Sequence, residues 1–137
     1  MKSVTVHETK LKEDNRGWVV WPFPDNILRG SVANVHIPLL KPGAIRGNHY
    51  HLHTREYAMV LAGPCRAVFT DTVTGEHEEM LFAGDRPVLL RIEPGTAHAF
   101  KNEAAHDILL LCFDEKTGDS QDPDIHRHTI FTAAATS

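Results

Sequence analysis

The chain has 137 residues, 42% of them hydrophobic and 23% charged, with a formal net charge of -4 at pH 7. These values are typical of one globular domain and argue against a fibrous or disordered chain. The acidic balance also argues against a general nucleic-acid-binding protein, which needs a basic face to displace phosphate counterions. No apolar run is long enough to span a membrane and residues 1–13 lack a signal-peptide core, so we expect a cytoplasmic protein.

Short runs rich in Val, Ile, Leu, Phe and Thr alternate with turn residues at intervals of about ten, which favours an all-β barrel or sandwich. The predicted strands are, in chain order, Val4–His7, Trp18–Trp21, Ser31–Pro38, Gly47–His51, Glu56–Ala62, Arg66–Asp71, Glu76–Leu81, Pro87–Ile92, His98–Asn102 and Asp107–Phe113. Helix is limited to one predicted turn near Asp25–Leu28.

No linker or repeat divides the chain, so residues 1–137 are expected to form a single domain with a core at about residues 30–113. Residues 114–137 begin with a polar stretch and end in TAAATS, which predicts a tail outside the barrel. Cys65 and Cys112 lie within apolar runs and are interpreted as reduced core cysteines, with a disulfide as the alternative.

The spacing of four residues predicts a metal site. His49 and His51 stand two apart, so on a strand both imidazoles face the same side, and Glu56 opens the next strand. His98 follows the turn at Pro94-Gly95, and a barrel would bring it opposite the others. Three imidazoles and one carboxylate suit a divalent transition metal such as zinc, nickel, iron, manganese or copper.

Two spaced patterns carry a family resemblance. Gly43-x5-His49-x-His51-x4-Glu56-x6-Gly63 resembles the first motif of the cupin superfamily, and Gly95-x2-His98-x3-Asn102 resembles the end of the second. The second motif departs from the family pattern, since its opening glycine is displaced to Gly84 and Glu93 stands where a proline is usual. The resemblance implies a double-stranded β-helix, or jelly-roll, barrel that commonly dimerises, so we expect a homodimer.

Further similarity is to the cupin domains of bacterial nucleotide-sugar epimerases and isomerases. These include the zinc-binding cupins of capsular-polysaccharide epimerases and, more distantly, the dTDP-4-dehydrorhamnose 3,5-epimerases. The resemblance rests on Arg46-Gly47-Asn48-His49-Tyr50-His51, on Phe113-Asp114 and on Asp122-Pro123-Asp124. It implies a sugar or nucleotide-sugar ligand, with Arg46 near the phosphates. In the metal-free relatives the histidines, here His49 and His51, transfer the proton.

Moving a proton next to a carbonyl requires a base, and a histidine bound to a metal cannot serve as one. The other candidates are Tyr50, Tyr57, His36 and His53, although strand alternation predicts that both tyrosines face outward. The histidines without a spacing partner are expected at the surface: His7, His77, His106, His126 and His128.

Alternation also affects the predicted ligand contacts. Arg46 stands three positions before His49, so simple strand alternation places the two side chains on opposite faces. A contact between Arg46 and a phosphate in the barrel would therefore need a β-bulge or a position at the barrel mouth. The alternative is a salt bridge at the surface. Phe100 shares parity with His98 and is expected to line the cavity. Trp18 and Trp21 are candidates for covering a sugar or base, for a dimer contact or for a barrel plug.

Three functions therefore remain open. The first is a nucleotide-sugar epimerase or isomerase acting by proton transfer. The second is a metal-dependent oxygenase, which the same ligand set would support with iron or nickel. The third is a sugar- or metabolite-binding protein with a structural metal. Arg46 and the Asp122-Pro123-Asp124 segment favour the first over the second, and the absence of an obvious base favours the third.

Overall fold

The computed structural model describes residues 1–23, 32–117 and 124–132, and the predicted helical turn at Asp25–Leu28 lies outside them. Within these ranges the chain forms strands and no helix, and hence no helix that could cross a membrane. The strands are β1 (Val4–His7), β2 (Lys10–Asp14), β3 (Gly17–Trp21), β4 (Val32–His36), β5 (Leu39–Leu40), β6 (Ile45–Tyr50), β7 (Thr54–Val60), β8 (Cys65–Asp71), β9 (His77–Phe82), β10 (Leu89–Ile92), β11 (Thr96–Asn102), β12 (Ile108–Lys116) and β13 (His126–Arg127).

Two antiparallel sheets enclose the main core. The first sheet has the order β1-β10-β7-β12-β4, with β5 also paired to β12, and the second has the order β13-β6-β11-β8-β9. Side chains of both sheets meet in one apolar cluster, in which Ala58 and Leu110 of the first sheet join Phe69 and Phe100 of the second. This closed, two-sheet arrangement is the predicted jelly-roll barrel.

Strand β7 shows how the sequence builds both faces of the first sheet. Ala58 and Val60 point into the main core, as the period-two pattern from Glu56 predicts. Tyr57 and Met59 point the other way but are also buried, because a second apolar cluster covers that face. Phe23 contributes to this cover, with its ring centroid 5.5 Å from that of Tyr57.

The structure differs from the sequence prediction in three short strands. Strand β2 was not predicted because KLKED has no buried alternating face; it pairs with β3 in a separate two-stranded hairpin. Strands β5 and β13 have two residues each and leave no periodic signal.

The predicted boundary between core and tail is also wrong. Strand β12 continues to Lys116, and its charged end is stabilised within the sheet: Glu115 pairs with Arg55 and Asp114 accepts a hydrogen bond from Asn34. The structure confirms Cys65 and Cys112 as free, buried cysteines.

Candidate functional site

Four side chains contributed by both sheets converge inside the barrel. His49 lies on β6, His51 directly after it, Glu56 on β7 and His98 on β11. One potential ligand atom from each lies within 4.8 Å of those of the other three. The ring centroids of His49 and His98 are 4.8 Å apart, and those of His49 and His51 are 5.0 Å apart. The structure therefore brings together the four residues predicted from spacing.

Backbone carbonyls orient two of these imidazoles. Nδ1 of His51 lies 2.5 Å from the carbonyl oxygen of Asp124, and Nδ1 of His98 lies 3.1 Å from that of Thr96. Because a carbonyl oxygen can only accept a hydrogen bond, both contacts place the ring proton on Nδ1. The Nε2 lone pairs of His51 and His98 then face Glu56. Metal-binding histidines usually donate their second ring N–H to such an acceptor, which fixes the orientation of the ring.

The protonation states within the cluster differ from residue to residue. Burial, reinforced by the neighbouring His98, lowers the pKa of His49 to about 4, so this imidazole is neutral at neutral pH. Burial alone would raise the pKa of Glu56, but the adjacent His98 and His51 outweigh it and hold that pKa well below its usual value. Burial also disfavours the charged form of His51, yet the contacts with Glu56 and the Asp124 carbonyl leave its pKa raised.

Glu56 and His98 make a close polar contact inside the barrel. Oε2 of Glu56 and Nε2 of His98 are 2.6 Å apart, both are buried, and neither makes a hydrogen bond of acceptable geometry. With the His98 proton on Nδ1, both atoms present lone pairs to each other. A second proton on His98 would satisfy the pair, and so would a divalent metal shared with His49 and His51. The donor set therefore fits the predicted transition metal.

A β-bulge changes the direction of Arg46. His49 lies opposite His98, but Gly47 lies opposite Ala99, so Asn48 is the extra residue of β6. Arg46 consequently lies opposite Phe100, and residues directly opposite each other share a face. The bulge thus turns Arg46 toward the side that His49 faces, against the simple parity prediction.

The bulge depends on two special backbone conformations. Gly47 has φ +108°, and a Cβ there would lie 2.6 Å from the carbonyl oxygen of His98. Asn48 has φ 57°, the left-handed region that asparagine tolerates better than most residues. The Gly-Asn pair is therefore the local signal for this feature.

A cavity of about 540 Å³ opens above the cluster. Its polar wall is formed by His36, Arg46, His49, Glu56 and His98, and the rest of its lining by Ile37, Pro38, Leu39, Gly47, Phe100, Leu110 and Cys112. Arg46 is exposed at this wall and forms no ion pair with any carboxylate of the described residues, whereas Phe100 is buried. Both residues thus lie where a bound ligand would contact them.

Residues 124–131, here called the C-terminal strap, cross this side of the barrel. The Asp124 carboxylate accepts hydrogen bonds from the backbone NH groups of Leu52 and His53, at 2.8 and 2.6 Å. At the bulge, Asn48 Oδ1 accepts from the NH groups of Ile130 and Phe131, at 2.9 and 3.1 Å. The contacts of Asp124 and Asn48 that hold the strap were not predicted from the sequence, since each joins residues more than 70 positions apart.

The other candidate bases lie at different distances from the cavity. Tyr57 lies buried on the far face of β7 and does not line the cavity. Tyr50 stacks on His126 of the strap, with ring centroids 5.1 Å apart, and His53 is exposed in the loop after β6. His36 lies at the cavity wall, with Nε2 3.7 Å from Oε1 of Glu56.

Of the histidines expected at the surface, His77 and His106 are exposed as predicted, whereas the other three are partly buried. His7 is half-buried, and both His126 and His128 contact Tyr50. Trp18 and Trp21 belong to the β2–β3 hairpin and do not line the cavity, so they do not cover the candidate site.

The barrel and its two histidine motifs define a cupin fold. Comparison with known families gives a more specific assignment, because residues 12–126 match the polysaccharide biosynthesis C-terminal domain. The chain belongs to that family.

Several known proteins are similar to this chain. A curated relative, UDP-2-acetamido-2,6-beta-L-arabino-hexul-4-ose reductase from Pseudomonas aeruginosa, is 28% identical over 89 residues, covering 65% of this chain and 24% of the relative. The capsular polysaccharide assembling protein CapF from Staphylococcus aureus is 23% identical with a TM-score of 0.65, over 89% of this chain and 34% of that chain. The dTDP-4-dehydrorhamnose 3,5-epimerase from Sulfolobus tokodaii is 20% identical with a TM-score of 0.75, over 93% of this chain and 77% of that chain.

These comparisons establish the family and the fold. The chain spans about a quarter of the curated reductase and about a third of CapF. At identities below 25%, the structural neighbours show a shared barrel only.

The contacts of Asn48 lead to a testable prediction about the strap. Asn48→Gly keeps a residue suited to positive φ but removes the side chain that bonds to the strap. We expect the Ile130 and Phe131 amides to exchange with deuterium on the order of tenfold faster, since each hydrogen bond contributes about 1 kcal/mol. Hydrogen-exchange mass spectrometry measures this, with Asn15→Gly in the exposed β2–β3 turn as control. Unchanged exchange in the strap would contradict the assigned anchor.

Proposed function

We propose that this chain is a metal-binding cupin that epimerises or isomerises a 4-keto nucleotide sugar in polysaccharide biosynthesis. The observation that carries the proposal is the convergence of His49, His51, Glu56 and His98 beside a cavity that is lined by three of them and by Arg46. The family match supports a place in polysaccharide biosynthesis, and the neighbouring epimerases share the barrel.

The four converging residues would hold one divalent ion such as zinc, nickel, iron or manganese. When bound, such an ion supplies Lewis-acid stabilisation of negative charge on a carbonyl oxygen. The protein contributes the orientation of the ligands, since the Asp124 and Thr96 carbonyls keep the Nε2 atoms of His51 and His98 turned inward.

The remainder of the cavity suits a nucleotide sugar. Arg46 offers a guanidinium that no described carboxylate neutralises, and a diphosphate is the anion that such a group binds through charge-assisted hydrogen bonds. Phe100 and the apolar lining at Leu39 and Leu110 provide a nonpolar wall for the sugar ring.

The first prediction of this proposal is about one divalent transition metal per chain. Elemental analysis of the purified protein measures the content. His98→Ala should abolish or severely reduce metal retention because it removes a buried donor beside Glu56. His77→Ala, on the exposed strand β9, should retain the wild-type content. A protein that carries no metal and gains no thermal stability from zinc, nickel, iron or manganese would contradict the metal site.

The second prediction concerns the reaction. A dTDP- or UDP-linked 4-keto sugar incubated with the protein in heavy water should gain deuterium at C3 or C5, the carbons next to the carbonyl. Arg46→Ala should weaken binding of that sugar about 10- to 100-fold through loss of a charge-assisted phosphate contact, with a smaller effect on the bound-state rate.

Three outcomes of the exchange experiment would replace the proposed mechanism or function with another. Exchange that survives complete metal removal would assign acid and base roles to His49 and His51 without a metal. No exchange, together with oxygen consumption by the iron-loaded protein on a small organic acid, would indicate an oxygenase. No chemistry with retained sugar or nucleotide binding would indicate a binding protein whose metal is structural.

We also propose a homodimer. Val19 and Trp21 of the β2–β3 hairpin are exposed, as are Val35 on the edge strand β4 and Ile37 beside it. Natural sheets generally cover such apolar edges. Sedimentation at micromolar concentration should therefore give a species twice the 15.3 kDa chain mass, and a monomer alone would exclude the dimer.

A further inference from the structure

The C-terminal strap brings a second arginine to the candidate site. Strand β13 of the strap pairs with β6 in antiparallel register, with His126 opposite Tyr50 and Arg127 opposite His49. Residues directly opposite each other in an antiparallel pair share a face of the sheet. The same row continues from His49 to His98 on β11. Arg127 therefore belongs to the face that carries two of the clustered imidazoles.

The ring contacts of the strap agree with this assignment of faces. The ring centroid of His126 lies 5.1 Å from that of Tyr50, and the centroid of His128 lies 6.3 Å from it. Both histidines are thus on the side of β6 to which Tyr50 points. Because successive side chains of a strand alternate between its faces, Arg127 points to the opposite, inner side.

The positive charge of Arg127 acts on the site and has no carboxylate to neutralise it. Burial and the neighbouring His98 are the larger causes of the lowered pKa of His49, and the charge of Arg127 adds to them. Arg127 is exposed and forms no ion pair with a carboxylate of residues 1–23, 32–117 or 124–132. An anionic ligand would supply the missing counter-charge.

Arg46 and Arg127 are diagonal neighbours on this inner face. The bulge at Asn48 places Arg46 opposite Phe100, two positions along β11 from His98. Arg127 belongs to the row of His98 and lies on the next strand beyond β6. Diagonal neighbours in an antiparallel sheet are about 7–8 Å apart, a separation that long side chains can bridge. The two guanidiniums can therefore bind one anionic group together.

We propose that Arg127 is a second binding residue for the diphosphate of the nucleotide sugar, with Arg46 on the phosphate nearer the sugar and Arg127 on the phosphate nearer the nucleoside. The inference rests on the proposed function. Arg46 lines the cavity and Arg127 lies outside its lining, so the sugar enters the cavity and the nucleoside extends toward the strap. Each guanidinium binds its phosphate through charge-assisted hydrogen bonds. The strap then forms part of the binding site.

The test measures nucleotide affinity by calorimetry, with UDP and UMP and in parallel with dTDP and dTMP. Arg127→Ala should raise the Kd of both the diphosphate and the monophosphate about tenfold, because it removes a charge-assisted contact to the phosphate nearer the nucleoside. Arg46→Ala should weaken the diphosphate but leave the monophosphate within about twofold of wild type, the range for a substitution away from the ligand.

Two control variants accompany these measurements. Arg86→Ala removes an exposed arginine that does not line the cavity and forms no ion pair within the described part of the chain, and it should match wild type with every nucleotide. Arg127→Lys should recover part of the affinity lost in Arg127→Ala, since lysine keeps the charge but not the planar fork of donors.

Two further measurements separate a ligand contact from a structural role of Arg127. The Ile130 and Phe131 amides of Arg127→Ala should exchange with deuterium at the wild-type rate, because Asn48 still holds the strap. The loss of UDP affinity with rising salt should be shallower in Arg127→Ala than in wild type, since one charge of the site is gone. Faster strap exchange together with an unchanged salt dependence would assign Arg127 a structural role and overturn the proposal.

The remaining outcomes distinguish this inference from the proposed function. Unchanged nucleotide affinity in Arg127→Ala would overturn the assignment, and so would an equal loss for uridine or thymidine, which carry no phosphate. If wild type exchanges deuterium into the 4-keto nucleotide sugar and Arg127→Ala binds that sugar equally well, the function stands and only this contact is wrong. If wild type binds none of these nucleotides and catalyses no exchange, both fail together.

Discussion

The Glu56 carboxylate lies inside the barrel, where burial disfavours its charge and the imidazoles of His51 and His98 restore it. A buried carboxylate without such partners would cost several kcal/mol or take up a proton. With the His98 proton on Nδ1, the short contact between Glu56 and His98 brings two acceptor atoms together, and either a second ring proton or a shared metal ion would satisfy both of them. Much of the surrounding architecture keeps these groups facing one another.

The second organising feature is the bulge in β6. It allows His49 and Arg46 to face the same cavity although they are three positions apart, and it requires a glycine at position 47 because the strand passes so close to His98. The same bulge carries Asn48, which holds one part of the strap, while Asp124 holds the other part and orients His51. The four clustered side chains, Arg46 and the strap are therefore structurally linked. A substitution at Asn48 or Asp124 should affect the candidate site without replacing any of the four clustered residues.

Periodicity was sufficient to predict the parts of the structure that depend on local pattern. The alternation from Glu56 to Val60 predicts which side chains enter the core, and the histidine spacing predicts the converging cluster. The direction of Arg46 was not predictable from alternation, since one extra residue reverses it. Contacts such as Asp124 with His51 and Asp114 with Asn34 join distant segments through the sheet register, and no local sequence signal marks them.

A crystal structure of the zinc- or cobalt-loaded protein, with data collected at the metal absorption edge, tests the central claim most directly. The account predicts one anomalous peak at about 2.0–2.2 Å from Nε2 of His49, His51 and His98 and from a carboxylate oxygen of Glu56. His36 should lie outside the coordination shell, at the wall of the same cavity. A peak bound instead by His36, Glu56 and Cys112, or no peak at the four-residue cluster, would contradict the account.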